Sequence, residues 1–446
     1  MEKGAIVRIV ADHLNRCPRA EFEIFHSQSK VLSIEVKGGQ LDHLRSSSEV
    51  GLALRVLHEG RLGFSYLFGP NSDGLIQLTD RAVELAGQAD RDPLHSLSPP
   101  EPFDAVDLDI FDTSLSAIGA REKIDRVREM EDSAFRADPR VRRVRKAEYE
   151  EVTNAVSIIN SRGVDLNRET TLISMSLTVV AEDNNCSEMG WEFDAARHYA
   201  DIDPTKIGES AARRGARMLG SRQISTRTCP AVLDNRVVCD LLSAWAPSFL
   251  GDNVCKGKSY LRDKIGQGIA SPMVHLIDDG LYPRGLGSAP FDDEGTPQRK
   301  TALVQGGRLL TYLYDRYWSK NAGSKSTGNS VRGQTSSPPA PSPSNLFISP
   351  GTRSFDQLTG SMEHGFLITD LMGVHLADPV SGEFSLGASG MWIEKGEALF
   401  PVKGVTMSGS IHELFCAVDE LGDDLRFFGR LGAPSALVGE VIISGP

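Results

Sequence analysis

The sequence predicts an α+β fold: an N-terminal mixed α/β region with an antiparallel sheet and helices, then a C-terminal β-rich, barrel-like domain. Three observations predict it. Apolar and polar residues alternate through much of residues 20–67 and 141–181, the period of a half-buried strand. Helical spacing recurs between and after those stretches. From Ala231 onward glycine becomes frequent and the strands short, the punctuation of a twisted barrel-like structure. The composition, 40% hydrophobic and 24% charged over 446 residues, is globular and excludes wholesale disorder.

The elements follow in order. Residues 1–16 read as an amphipathic helix ended by Pro18, with charges at Glu2, Lys3 and Arg8 that do not fit a signal peptide. Alternation at Phe22, Ile24 and Val31–Val36, a turn at Gly38-Gly39, and strands at Leu52–Val56 and Leu62–Tyr66 predict an antiparallel meander. Thr79–Gln88 is helical and completes an N-terminal α+β subdomain, 1–91. A Pro- and Asp-rich linker, 92–115, leads into a middle α+β subdomain, 116–225. There a helix at Ser116–Ala137 stops at Asp138-Pro139, strands follow at Val141–Tyr149, Thr153–Asn160 and Thr170–Ala181, and a further helix spans Thr205–Met218. The C-terminal β-rich domain, 226–446, is interrupted by helices at Asn235–Ala246 and Leu309–Ala322. Its one low-complexity stretch, Gln334–Ser344, is expected as an exposed loop. No fixed-period repeat occurs.

Charge and motifs narrow the function. Lys plus Arg number 48 and Asp plus Glu 60, so the net charge is −12. That argues against direct binding to nucleic acid as the main activity. No apolar run reaches the length of about 18 residues that a membrane-spanning helix needs. Six scattered cysteines without a C-x-x-C read as reduced thiols in a cytoplasmic protein. Gly323–Ser330 has phosphate-loop spacing, but Asn329 replaces the lysine. There is no dinucleotide fingerprint and no nucleophile elbow. His58-Glu59 has Leu62 where a zincin helix needs histidine. His412 and Cys416, at i and i+4, share a helix face and are alternative zinc ligands, without a visible third. Asp292-Asp293-Glu294 and Asp278-Asp279 are acidic turns that read as solvated.

Six short stretches carry a resemblance. They are Val232–Asn235, Gly266–Pro272, Phe291–Gly295, Ser326–Asn329, Asn345 with Ser349–Gly351, and Pro401–Gly404. In this order they resemble the TldD/PmbA family, and most closely its PmbA (TldE) branch. The resemblance implies a cytoplasmic zinc metallopeptidase system of two homologous subunits, a family also called modulator of DNA gyrase. The TldD-type subunit carries a His-Glu-x-x-x-His helix and a late cysteine. Here those positions fall on Ser243, Ala244, Ser248 and Leu431. Two hydroxyls, a methyl and an isobutyl group supply neither metal ligands nor a base for water, and Pro247 interrupts the helix. The resemblance therefore implies a chain with no catalytic residue and no cofactor of its own. Its expected partners are a zinc-bearing TldD-type subunit and unfolded or extended peptides, held by strand addition; pairing as a homodimer stays open. The other readings are a metallopeptidase with an independent metal site, and a regulatory protein acting on DNA gyrase.

Overall fold

A computed structural model describes residues 3–17, 19–102 and 106–446. The expected helix stop at Pro18 lies outside the described residues. The first helix, α1 (Lys3–Leu14), is followed by strands β1 (Glu21–Lys37), β2 (Gln40–His58) and β3 (Arg61–Phe68) and by helix α2 (Ser72–Gln88). After the 92–115 segment come α3 (Ala120–Ala137), β4 (Val141–Asn160), β5 (Asp165–Asp183), β6 (Cys186–Ala196) and α4 (Pro204–Arg217). The six strands make one antiparallel sheet in the order β3-β2-β1-β4-β5-β6. The two strands expected within 141–160 are one, because β4 pairs almost continuously with β1 and β5.

Strand alternation divides this sheet into two faces. Ile34 and Val36 of β1, Ala147 and Tyr149 of β4, and Ile173, Met175 and Leu177 of β5 are buried with Val127, Met130 and Ala134 of α3 and Ile207 and Ala211 of α4. Leu52, Leu54 and Val56 of β2 are buried with α1 and α2. The helices thus cover one face. Two glycines set how closely they lie: a Cβ on Gly63 would stand 1.9 Å from the Ala82 carbonyl oxygen of α2, and one on Gly190 would stand 2.0 Å from that of Ala211 in α4. The opposite face turns toward the C-terminal domain.

That domain opens with β7 (Arg227–Leu233) and α5 (Asn235–Trp245). β7 pairs in parallel with His364–Met372 and antiparallel with Ala436–Ser444. The sheet continues through Glu383–Glu394 to Glu397–Ser410. Thr406–Ser408 pairs back onto Ile442–Ser444, so five strands close into a barrel. Val237, Leu241 and Trp245 of α5 are buried with barrel residues Leu233, Phe366, Met407 and Val438 in the largest core. A second sheet of short strands runs 308–309, 300–305, 276–279, 346–348, 431–433 and 426–428.

Two expectations for this half are corrected. The helix expected over Leu309–Ala322 is confined to Arg316–Asn321. Leu313 exchanges backbone hydrogen bonds with Phe249 and Gly251, and the Tyr314 amide donates to Thr327 Oγ1 at 2.7 Å, which holds the chain extended up to the Asp315 cap. The Gln334–Ser344 stretch is not an exposed loop throughout. Thr335, Pro341 and Ser344 are buried, and Thr335 Oγ1 lies 2.8 Å from Ser27 Oγ of β1. Among the described residues no helix is long and apolar enough to cross a membrane.

Candidate functional site

The uncovered face of the N-terminal sheet and the facing loops of the C-terminal domain enclose a cavity of about 750 Å³. Its floor comes from alternate residues: Phe25, Ser27 and Ser29 of β1, Val152, Asn154 and Val156 of β4, and Arg168, Thr170 and Leu172 of β5. Its walls are residues 286–289, 292–293, 330–335 and 429–430.

The acidic turn at 292–294 is buried at this boundary, which corrects its reading as solvated. Phe291, 1% exposed, inserts among Phe25, Ala53, Val156 and Ile158. Asp292 accepts the backbone N–H groups of Glu294, Thr296 and Ser330 at 2.9–3.1 Å, and burial beside Glu294 pushes its pKa well up. Asp293 accepts from the Arg332 amide at 2.6 Å and pairs with Arg168. Glu294 accepts from Arg55 Nη1 at 2.9 Å. Burial opposes its carboxylate, and Arg55 nonetheless holds its pKa below the ordinary value. Arg55 also grips Glu23, its register partner across β1 and β2, at 2.6 and 2.9 Å, and Arg332 reaches the same Glu23 at 3.0 Å. Glu23–Arg55–Glu294 and Glu23–Arg332 thus bolt the sheet to the loops with every charge paired, which is what buried charges require.

Asp278 is equally buried. It accepts from Asn329 Nδ2 at 2.7 Å and from the Ser344 amide and hydroxyl at 2.8 Å, and burial pushes its pKa up to about 6. Asn345 donates to the Asp279 carbonyl at 2.7 Å and accepts from the Gly287 amide at 2.8 Å. The stretches 291–295, 326–329 and 345 are thus linked indirectly, through Ser330 and through Asp278 and Asp279, into a hydrogen-bonded frame behind the cavity wall.

The replaced motif positions stand elsewhere. Ser243 is exposed on α5, and its hydroxyl donates to the Asp240 carbonyl at 2.6 Å. Ala244 packs against the barrel core. At Ala246 the helix tightens into a 3₁₀ turn containing Pro247 and the buried Ser248, whose carbonyl accepts from Ser259 Oγ at 2.7 Å. Leu431 pairs beside Leu346 and packs on the same core. This donor set, two hydroxyls and two aliphatic groups, does not fit zinc. His412 and Cys416 do lie together, with Sγ 3.8 Å from Nδ1. That nitrogen also stands 3.0 Å from the Ile269 carbonyl oxygen, a position for a donated hydrogen bond and not for a free ligand lone pair. Burial raises the Cys416 thiol, away from the thiolate a metal needs. Among the described residues the one cluster of three metal-capable side chains is Glu35, Asp42 and His43, on the β1–β2 hairpin.

Sequence reasoning missed Glu23, Arg55, Arg168, Arg197, Arg332 and Arg430. A signal existed for two of them: Glu23 and Arg55 interrupt the short apolar stretches Phe22–Phe25 and Leu52–Leu57.

Comparison with known proteins agrees with the architecture. Residues 22–86, 114–219 and 226–445 match the models of PmbA/TldA metallopeptidase domain 1, central domain and C-terminal domain. The chain belongs to the PmbA/TldD metallopeptidase family. It is 26% identical over 426 residues to metalloprotease PmbA of Escherichia coli O157:H7, covering 95% of this chain and 92% of that one. A crystal structure of a candidate modulator of a DNA gyrase from Thermotoga maritima superposes with a TM-score of 0.91 at 26% identity, covering 99% of this chain and all of the other. TldE from Thermococcus kodakarensis shares the fold, with a TM-score of 0.90 at 22% identity and 99% coverage of both chains.

Proposed function

We propose that this chain is the PmbA/TldE-type subunit of a cytoplasmic metallopeptidase complex, non-catalytic itself, which holds extended peptide for a zinc-bearing TldD-type partner. The observation that carries the reading is the chemistry at Ser243, Ala244, Ser248 and Leu431, which offers no zinc ligand and no base. The cavity supports the second part. Its floor is a sheet face mixing apolar and hydroxyl side chains, suited to an extended backbone and tolerant of side-chain identity. Six unpaired cysteines are consistent with a reducing compartment. The homologues' metalloprotease names support the reaction class, with the metal and the water-activating base assigned to the partner.

Elemental analysis and peptidase assays test this together. Purified alone, the chain is expected to hold no stoichiometric zinc and to leave unfolded peptides intact. Co-expressed with a TldD-type subunit, it is expected to co-purify in a chelator-sensitive peptidase. Near-unit zinc on the isolated chain after dialysis against a weak chelator, or chelator-sensitive cleavage by it, would overturn the reading.

A further inference from the structure

The arginines around the cavity are not equally neutralised. Arg168 pairs with Asp293, and Arg332 pairs with Glu23. Arg197 makes three hydrogen bonds, to the carbonyl oxygens of Gly285, Thr171 and Leu286 at 2.7–3.1 Å. Those acceptors satisfy its donors and leave its charge uncompensated. Arg430 is exposed and lines the cavity. Among the described residues its guanidinium has no ion-pair or hydrogen-bond partner, and Asp293 and Asp278 act on it only at a distance. Asp293 is already engaged by Arg168 and the Arg332 amide, and Asp278 by Asn329 and Ser344. This wall therefore carries two positive charges that no acidic side chain neutralises. Burial first, and the neighbouring cations Arg430 and Arg168 after it, push the Arg197 pKa down to about 10.

We infer that the 285–288 and 429–430 wall of the cavity is a carboxylate-binding site, in which Arg430 supplies the free guanidinium fork and Arg197 the fixed charge beside it. The inference rests on the peptide-holding reading and names what the cavity selects: an extended peptide whose carboxylate lies against Arg430 while its body crosses the apolar floor at Val152, Val156 and Leu172. Arginine suits this because its planar donors meet a carboxylate in two parallel hydrogen bonds. Both a chain terminus and an acidic side chain carry that group, and the test separates them.

The test measures binding of N-acetylated Ala-Val-Ala-Val-Ala to the purified full chain, as the free acid and as the amide, by calorimetry at moderate salt. A third probe is the amidated peptide ending in glutamate. The free acid is expected to bind about tenfold or more tighter than the amide, the worth of one charge-assisted contact. In Arg430→Gln the two are expected to bind within about twofold, and Arg430→Lys is expected to restore part of the gap. An unchanged unfolding midpoint checks that both variants fold. Tight binding of the glutamate peptide keeps the inference and extends the source to side chains; weak binding keeps it and restricts the source to the terminus. Equal binding of acid and amide to the native protein overturns the carboxylate site and leaves the peptide reading standing. If no peptide binds, the peptide reading falls, and N-acetylalanine against its amide decides the site. An Arg430-dependent rise in unfolding temperature with the acid alone sustains it, and no such rise overturns it.

Discussion

Asp315 caps the Arg316–Asn321 helix by accepting the Trp318 amide at 2.7 Å, and it is 4% exposed. Burial, together with the charge of Glu294, pushes its pKa up to about 7 against that hydrogen bond. The folded protein therefore holds this proton more tightly than the unfolded chain does. Its contribution to stability is fully present below about pH 4 and is lost as pH rises toward about 7. Asparagine caps as well as aspartate and carries no charge. Asp315→Asn is thus expected to raise stability by only about 1 kcal/mol at pH 4.5 and by a few kcal/mol, at most about 4, at pH 8. Urea midpoints of both proteins at the two pH values check this; a gap that narrows with pH would refute it. Asp278 has the same sign over a lower window, up to about 6, but asparagine there would set its amide against that of Asn329.

The helices owe their positions to the small residues beneath them. At Gly190 a Cβ would meet the Ala211 carbonyl oxygen at 2.0 Å and the Gly215 nitrogen at 2.5 Å, both backbone, so α4 must lift from β6. Gly190→Ala is expected to destabilise by about 1–3 kcal/mol or more. Gly87→Ala, near the end of α2 with nothing within 4 Å, is expected to be neutral or stabilising by up to about 1 kcal/mol. Denaturation of the two variants side by side separates packing from propensity. At this scale much was legible in the sequence. Period-two alternation placed the sheet, helical spacing placed α3, α4 and α5 to within a few residues, and glycine punctuation announced the barrel. What failed were segments whose conformation is imposed from far along the chain. Leu309–Asp315 reads as helix locally, but Phe249, Gly251 and Thr327 hold it extended. The four prolines of 334–344 argued for exposure, and no local feature revealed the seat that Ser27 provides for Thr335. Asp293 and Glu294 looked solvated because their partners, Arg168 and Arg55, lie 125 and 239 positions away.

Among the contacts that join the two halves of the molecule, the turn at 291–294 does two things at once. Phe291 fills an apolar socket in the N-terminal sheet, with the Arg168 guanidinium 5.2 Å from its ring, and the acids beside it fix the arginines at the cavity's edge. Phe291→Ala is expected to lower stability by about 3–5 kcal/mol. It is also expected to speed hydrogen exchange at 292–296 and 330–332 more than within the barrel, read by mass spectrometry. Exchange rising equally everywhere would show that the turn is not a separable joint. The barrel imposes a different order of events. Ala231 of β7 needs Phe366 on one side and Val438 on the other, whereas every strand of the N-terminal sheet is complete by Ala196. As the chain leaves the ribosome, the first sheet can assemble while β7 waits, and the barrel closes only after residues 436–444 have emerged. Until then β7 presents an unpaired, apolar edge, so this is a protein whose nascent form has a reason to meet a chaperone.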